Sequence, residues 1–152
     1  MKLFSALLVE DDPLVIELAR FAVADSFPEL ELTVLEGAAA ALDWLSDNIA
    51  KKERMPHIIL LDLKLPKLDG LAVLRTMRNY PAIRNIPIVA FSTEYTQEDV
   101  LMSYRVGANS FVAKPADHVE FSILLREQLA YWTGDQQHNM PVAAEGDAAG
   151  RI

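Results

Sequence analysis

Short apolar runs alternate along the chain with longer segments in which apolar residues recur at every third or fourth position. A short run bounded by turn residues is typical of a strand buried on both faces, and the three-to-four spacing is typical of an amphipathic helix. The runs predict five strands, at residues 4–9, 32–35, 57–62, 87–92 and 110–113. The helical spacing predicts five helices, one beginning at residue 13 and the others covering residues 38–49, 71–78, 97–106 and 117–132.

Residues with strong positional preferences mark the ends of two of these helices. Asp12 and Pro13 suit the cap and the first position of the first helix, and Thr96 and Gly107 suit the cap and the end of the fourth. Because each strand is followed by a helix, the pattern indicates an α/β fold with a doubly wound parallel sheet. The preference for right-handed crossovers leaves few topologies for such a sheet.

The length of 152 residues suits one domain with a substantial core. We expect this domain to span residues 1–132. Residues 133–152 are rich in Gly, Ala, Asn, Gln and Pro and lack periodicity, so they are expected to form a disordered tail. A tail of this length is too short to fold into a winged helix or a catalytic module, so no output domain is expected after residue 132.

The composition argues against several classes of function. No apolar run approaches the roughly 20 residues that span a bilayer. The amino terminus lacks a signal-peptide cleavage site, so a soluble, cytoplasmic protein without membrane contact is expected. The net charge of −8 argues against nucleic-acid binding, which requires a basic surface. The absence of cysteine excludes disulfides and thiolate metal sites and is compatible with the cytoplasm.

Polar residues directly follow four of the predicted strands. The carboxyl ends of parallel strands meet at one edge of a sheet, where ligands bind in open α/β folds, so these residues are expected to be neighbours. The first strand delivers Glu10, Asp11 and Asp12, the third Asp62, the fourth Ser92 and the fifth Lys114. The second strand ends at Glu36 and Gly37 and is expected to lie away from this crevice.

These side chains suit phosphoryl chemistry assisted by a metal ion. Crowded carboxylates repel one another unless a cation is present, and oxygen ligands suit Mg²⁺, which is commonly bound together with phosphate oxygens. Lys114 suits the neutralisation of a transferred phosphoryl group, and Ser92 suits hydrogen bonding to one of its oxygens. Asp62 is the candidate nucleophile, since aspartate forms acyl phosphates in phosphoryl-transfer proteins.

Each of these residues also has a purely structural interpretation. Asp12 is a suitable helix cap, Asp11 a solvated loop charge, Ser92 part of a turn, and Lys114 a surface lysine before a turn proline. The functional interpretation is favoured because four different strands each end on a group that the chemistry needs.

The pattern resembles the receiver domain of two-component response regulators over about residues 3–132. In that family an acidic pair after the first strand holds Mg²⁺ or Mn²⁺, and an aspartate after the third strand accepts phosphate from a phosphohistidine. A hydroxyl residue follows the fourth strand and a lysine follows the fifth. The resemblance assigns these roles to Asp11 and Asp12, Asp62, Ser92 and Lys114, whose spacing also resembles that of the family.

The resemblance implies further details of the fold and the site. It implies the flavodoxin-like strand order 2-1-3-4-5, a metal ligand in the backbone carbonyl of Lys64, and a cis bond between Lys114 and Pro115. It also implies that Ser92 and Phe111 form a switch. On the family's model, phosphorylation draws the serine toward the phosphoryl group, and the aromatic ring fills the vacated space.

Residues 61–67, 103–110 and 131–132 look most like single-domain regulators that partner bacterial phytochrome-type kinases. The expected function is a stand-alone regulator, not an enzyme, that takes a phosphoryl group from a histidine kinase or a histidine phosphotransfer protein and signals by protein contact. One alternative is a degenerate receiver used only for interaction, although none of the required residues is missing. Another is a phosphatase of the haloacid dehalogenase type, but such enzymes need a second aspartate where this chain has Lys64.

Two further hypotheses concern the surface. Lys64 and Glu94 are opposite in charge and are expected at the mouth of the site, where they would pair across the path of the hydrolytic water. The fourth and fifth helices carry more apolar residues than one core-facing stripe requires, which suggests a homodimer interface. The residues that suggest this interface are Val100, Leu101, Tyr104, Val119, Ile123, Leu124 and Ala130.

Overall fold

The computed structural model describes residues 2–64 and 70–133, in which five strands alternate with five helices. The strands are β1 (Phe4–Val9), β2 (Leu30–Leu35), β3 (Ile58–Asp62), β4 (Ile88–Ser92) and β5 (Ser110–Ala113). The helices are α1 (Pro13–Ser26), α2 (Ala38–Ala50), α3 (Gly70–Arg78), α4 (Gln97–Val106) and α5 (His118–Trp132), with a 3₁₀ helix at Pro81–Ile83. None of these helices is long and apolar enough to cross a membrane. Apart from Thr133, the predicted tail lies outside the described residues.

The strands form one parallel sheet in the order β2-β1-β3-β4-β5. The central strand, β3, pairs with β1 and β4 in a register that joins Leu61 to Val9 and Asp62 to Phe91. The α/β class, the doubly wound parallel sheet and the strand order are therefore confirmed. Because the strands are parallel, all five end at the same edge of the sheet, and β2 lies at its outer side.

Two apolar layers cover the faces of the sheet, because successive side chains of a strand point to opposite faces. Leu7 and Ile59 face a layer that is completed by α2, α3 and part of α4. Leu8 and Leu60 face the other layer, which is completed by α1 and α5. Burial on both faces explains why β3 and β4 are continuous apolar runs, which end on the polar residues Asp62 and Ser92.

Helix ends agree with the sequence prediction where the sequence carries a cap. Asp12 caps α1 by accepting a hydrogen bond from the N–H of Leu14 at 3.0 Å. Gly107 ends α4 with a φ of 135°, which glycine adopts without steric cost.

By contrast, β2 begins at Leu30 and not at residue 32, because it pairs with β1 from Phe4 onward. The sequence does not predict this long-range pairing, nor the 3₁₀ helix.

Candidate functional site

The polar residues that follow β1, β3, β4 and β5 meet at the carboxyl edge of the sheet. Glu10, Asp62 and Ser92 are buried there, with exposed fractions of 0, 4 and 1%. The ammonium nitrogen of Lys114 lies 2.8 Å from Glu10 Oε1 and 3.5 Å from Asp62 Oδ2. The fold thus brings Asp62 and Lys114 together, as the sequence predicts, and the backbone carbonyl of Ser92, at the end of β4, accepts the N–H of Lys114.

Glu10 is the most completely buried acid of this group. Its Oε2 accepts hydrogen bonds from the backbone N–H groups of Asp11 and Asp12, each at 3.1 Å, while its Oε1 accepts one from Lys114. Burial raises the pKa of Glu10 to about 7; the hydrogen bond from Lys114 opposes this effect, and the nearby charge of Asp62 adds to it. A cation beside Glu10 would therefore favour its ionised form.

Asp62 is held by a backbone group and a side chain. Its Oδ1 accepts the N–H of Lys64 at 2.9 Å, and its Oδ2 faces the ammonium of Lys114. That ammonium also lies 5.0 Å from the centre of the Phe91 ring, within the range of a cation–π contact. One lysine therefore faces two buried carboxylates, and the site carries an excess of negative charge.

Three acids form a group suited to a metal ion. Glu10, Asp11 and Asp62 each place a carboxylate oxygen within 4.8 Å of the others. A set of carboxylate oxygens fits a hard divalent ion such as Mg²⁺ or Mn²⁺, and the excess negative charge favours such an ion. The site residues therefore support a divalent metal, and the structure brings Asp11 and Asp62 together as predicted.

The structure does not place Asp12 in this group, and Glu10 takes the position predicted for Asp12. The carboxylate of Asp12 caps α1, where its Oδ1 accepts the N–H of Leu14. The cause is local, because an acid directly before Pro13 suits a helix cap, whereas Glu10 directly follows the buried strand. The Asp-Pro pair is visible in the sequence and is the signal that leaves Glu10 and Asp11 as the acidic pair.

The structure gives further details at Ser92 and at Pro115. Ser92 Oγ donates a hydrogen bond to the backbone carbonyl of Glu94 at 2.8 Å. The prediction of a cis bond before Pro115 is wrong, since no cis peptide bond occurs in the described residues. The trans bond is the intrinsically favoured isomer, and with it Lys114 already reaches both buried carboxylates.

A cleft of about 60 Å³ adjoins the site between the loops that follow β3 and β4. Lys64 and Glu94 both line this cleft, but no ion pair joins them within the described part of the chain. Phe111 also lines it and is 8% exposed, and its ring meets that of Tyr95 edge-on with centroids 5.1 Å apart. The Lys64 carbonyl as a metal ligand, and the switch movement of Ser92 and Phe111, stay predictions.

Known proteins include clear relatives of this chain. The sequence profile of the response regulator receiver domain matches residues 6–126. The chain is 30% identical over 127 residues to the response regulator Rcp1 of Synechocystis sp., and the match covers 83% of this chain and 86% of Rcp1.

Solved structures of similar proteins share the fold. The Mn²⁺-bound form of Rcp1 superposes with a TM-score of 0.78 at 29% identity, over 86% of this chain and 95% of the other. The phosphorylated cyanobacterial phytochrome response regulator RcpA gives a TM-score of 0.79 at 30% identity, over 87% of this chain and 95% of the other. With the profile match and the acids, serine and lysine gathered at one sheet edge, these similarities show that the chain belongs to the response regulator receiver domain family.

Proposed function

We propose that this protein is a response regulator that accepts a phosphoryl group on Asp62 from a histidine kinase or a histidine phosphotransfer protein, in a reaction that depends on Mg²⁺. The strongest support is the position of Asp62. It is a buried carboxylate at the end of the central strand, 3.5 Å from the ammonium of Lys114 and grouped with the oxygens of Glu10 and Asp11. Membership of a signalling family supports the same reading.

In the proposed reaction, an oxygen of Asp62 attacks the phosphorus atom of a phosphohistidine. The new O–P bond forms as the P–N bond breaks, and the electron pair of that bond stays on the imidazole. The imidazole leaves as a neutral ring when its other nitrogen carries a proton. In this proposal Lys114 pairs with the charge of the transferred group, and the hydroxyl of Ser92 turns from the carbonyl of Glu94 to donate a hydrogen bond to it. The N–H of Lys64 restrains the orientation of the nucleophile.

Glu10, Asp11 and Asp62 are the residues proposed to hold the metal ion. When bound, Mg²⁺ or Mn²⁺ offsets the negative charge of these carboxylates and of the incoming phosphoryl group. The relative Rcp1 supports a divalent ion, because one of its solved forms is bound to Mn²⁺.

The proposed phosphoryl donor is a phytochrome-type histidine kinase, and the proposed output is contact with another protein in the cytoplasm. The support for the donor is the similarity to RcpA, a phytochrome response regulator, over 87% of this chain. The support for output by contact is that the region shared with Rcp1 makes up 86% of that relative.

A homodimer through α4 and α5 is proposed as one such contact. Leu101 on α4 is 58% exposed, and Val119 and Ile123 on α5 are 68 and 53% exposed. Other apolar residues of α5, such as Phe121 and Leu125, are buried in the core and are not available for an interface. Light scattering that gives the mass of a monomer, with and without beryllofluoride as a phosphoryl mimic, would contradict the dimer.

Incubation with acetyl phosphate and Mg²⁺, followed by intact mass spectrometry, tests the proposed function. We expect the wild type to gain the mass of one phosphoryl group, and Asp62→Asn to gain none. Chelation of the metal should also prevent the gain. The matched control is Asp12→Asn, which changes an acid outside the metal group and should still be phosphorylated, because asparagine also caps helices well. A wild type that gains no mass would favour a receiver used only as an interaction module.

A further inference from the structure

The loop between β4 and α4 is anchored at both of its ends. Ser92 belongs to β4, and Thr96 caps α4 through two hydrogen bonds with Asp99. The N–H of Thr96 donates to Asp99 Oδ2 at 2.9 Å, and the N–H of Asp99 donates to Thr96 Oγ1 at 3.1 Å. Because only residues 93–95 lie between these anchors, a displacement at one of them must be taken up by its neighbours.

The hydroxyl of Ser92 is bonded within this loop. It donates to the carbonyl oxygen of Glu94 at 2.8 Å. A serine hydroxyl has one proton to donate, so it cannot bond at the same time to Glu94 and to a phosphoryl oxygen on Asp62. If Ser92 turns to a phosphoryl group, the carbonyl of Glu94 loses this donor and the loop loses one of its restraints.

The residue after Glu94 contacts the buried aromatic residue of β5. The Tyr95 ring meets the Phe111 ring at an interplanar angle of 67°, with centroids 5.1 Å apart. The backbone N–H of Phe111 donates to the hydroxyl of Tyr104 on α4 at 3.0 Å, which ties β5 to that helix. The backbone of Phe111 is therefore held, so a response of Phe111 to a movement of Tyr95 would have to come from its ring.

We propose that Tyr95 is a positioning residue that couples Ser92 to Phe111. Its ring contact with Phe111 belongs to the state in which Ser92 is bonded to the carbonyl of Glu94, and the contact is lost when Ser92 turns to the phosphoryl group. This inference rests on the proposed function, because it takes Asp62 as the phosphoacceptor. In this chain, where Phe111 has no hydroxyl to hold it in place, the Tyr95 ring supplies that restraint.

Titration with beryllofluoride in the presence of Mg²⁺, followed by NMR of backbone amides, tests the coupling. We expect Tyr95→Ala to bind beryllofluoride about 2- to 10-fold more tightly than the wild type. The unphosphorylated state alone would lose an aromatic contact, which is typically worth about 0.5–1.5 kcal/mol. Tyr95→Phe keeps the ring and should bind as the wild type does. The control Tyr80→Ala removes a core-packed tyrosine away from the loop and should leave the affinity unchanged.

The same titration in a Phe111→Leu background shows whether the effect passes through this contact. There, Tyr95→Ala should cause no further gain in affinity, because the ring partner is already absent. A Tyr95→Ala variant that binds as the wild type does, or that gains equally in both backgrounds, would overturn the inference while leaving the proposed function intact. A wild type that binds no beryllofluoride would overturn the proposed function, and this inference with it.

Discussion

The polar groups at the amino edge of the sheet are paired, whereas those at the carboxyl edge are only partly compensated in charge. At the amino edge, polar side chains bond to neutral groups, which are backbone carbonyls and the side-chain amide of Asn109. Arg78, at the end of α3, donates to the carbonyl oxygens of Ile83 at 2.7 Å and of Gly107 at 2.8 Å. It also donates to Asn109 Oδ1, which accepts the N–H of Ile88 at 2.9 Å as well. Charged and polar atoms at this edge therefore stabilise the fold directly.

At the carboxyl edge, like charges are gathered and only partly compensated. Glu10 and Asp62 are both buried, and one ammonium, that of Lys114, lies between them. Burial of two carboxylates beside one ammonium is unfavourable for the folded protein, but it favours the binding of a cation. The polar groups of the amino edge therefore stabilise the fold, whereas the uncompensated negative charge of the carboxyl edge favours a bound cation.

The largest effect is expected from a change at the amino edge. Arg78→Met should lower the free energy of unfolding by about 3 kcal/mol, because several acceptors lose hydrogen bonds to a charged donor, each typically worth about 1.5–3 kcal/mol. Urea denaturation measures the loss. The matched control is Arg84→Met, which changes an exposed arginine and should cost less than about 0.5 kcal/mol. Equal losses of stability in the two variants would contradict the contribution assigned to the hydrogen bonds of Arg78.

The next effect concerns pH and the buried acid Glu10. Its pKa rises from 4.5 in the unfolded chain to about 7 in the fold. Between these values the folded state binds a proton that the unfolded chain has lost, so stability falls as the pH rises through this window, by on the order of 2 kcal/mol. Denaturation at about pH 5 and about pH 7.5 in a chelator measures the fall. Glu10→Gln lacks this ionisation, and a fall of the same size in that variant would contradict the prediction.

A smaller effect of opposite sign to that of Arg78→Met is expected at Asp62. At neutral pH and without metal, Asp62→Asn should raise the free energy of unfolding by about 1 kcal/mol, because it removes one of the two carboxylates that face Lys114. Added Mg²⁺ should stabilise the wild type more than this variant, which has lost a ligand. Thermal denaturation with and without Mg²⁺ measures both effects. If Asp62→Asn is less stable than the metal-free wild type, repulsion between the carboxylates of Glu10 and Asp62 does not destabilise the fold.

The smallest effect is expected at the mouth of the site. The double variant Lys64→Ala, Glu94→Ala should lose its phosphoryl group about two to five times faster than the wild type, because water would reach the site more easily. Both side chains line the cleft through which a hydrolytic water would approach. Intact mass followed over time after removal of acetyl phosphate gives the two rates. Equal rates of dephosphorylation would mean that the two side chains do not slow the access of water to the cleft.

Local sequence signals are sufficient to predict the strands, the helices and most of the site residues. Short apolar runs identify all five strands, and the runs of β3 and β4 are fully buried because the sheet is covered on both faces. Thr96 and Gly107 bound α4 where the sequence predicts them. The convergence of Asp62, Ser92 and Lys114 follows from parallel topology alone, since parallel strands deliver their ends to one edge.

The remaining features depend on neighbours in space that no local pattern reveals. Glu10 contacts Lys114 across 104 positions of sequence, which makes it, and not Asp12, the acid that faces the lysine. The contact between Tyr95 and Phe111 likewise joins a loop to a strand on the far side of α4 in sequence. The trans bond before Pro115 shows that a property implied by family resemblance has to be checked in each chain.

The outer position of β2 has a practical consequence. The turn at Glu36 and Gly37 contributes none of the groups named at the site, and a Cβ at Gly37 would meet no atom within 4 Å. Exposed turns of this kind tolerate inserted sequence. A short peptide tag inserted after the exposed Glu36 is therefore expected to be tolerated and to leave the proposed phosphoacceptor, Asp62, in place.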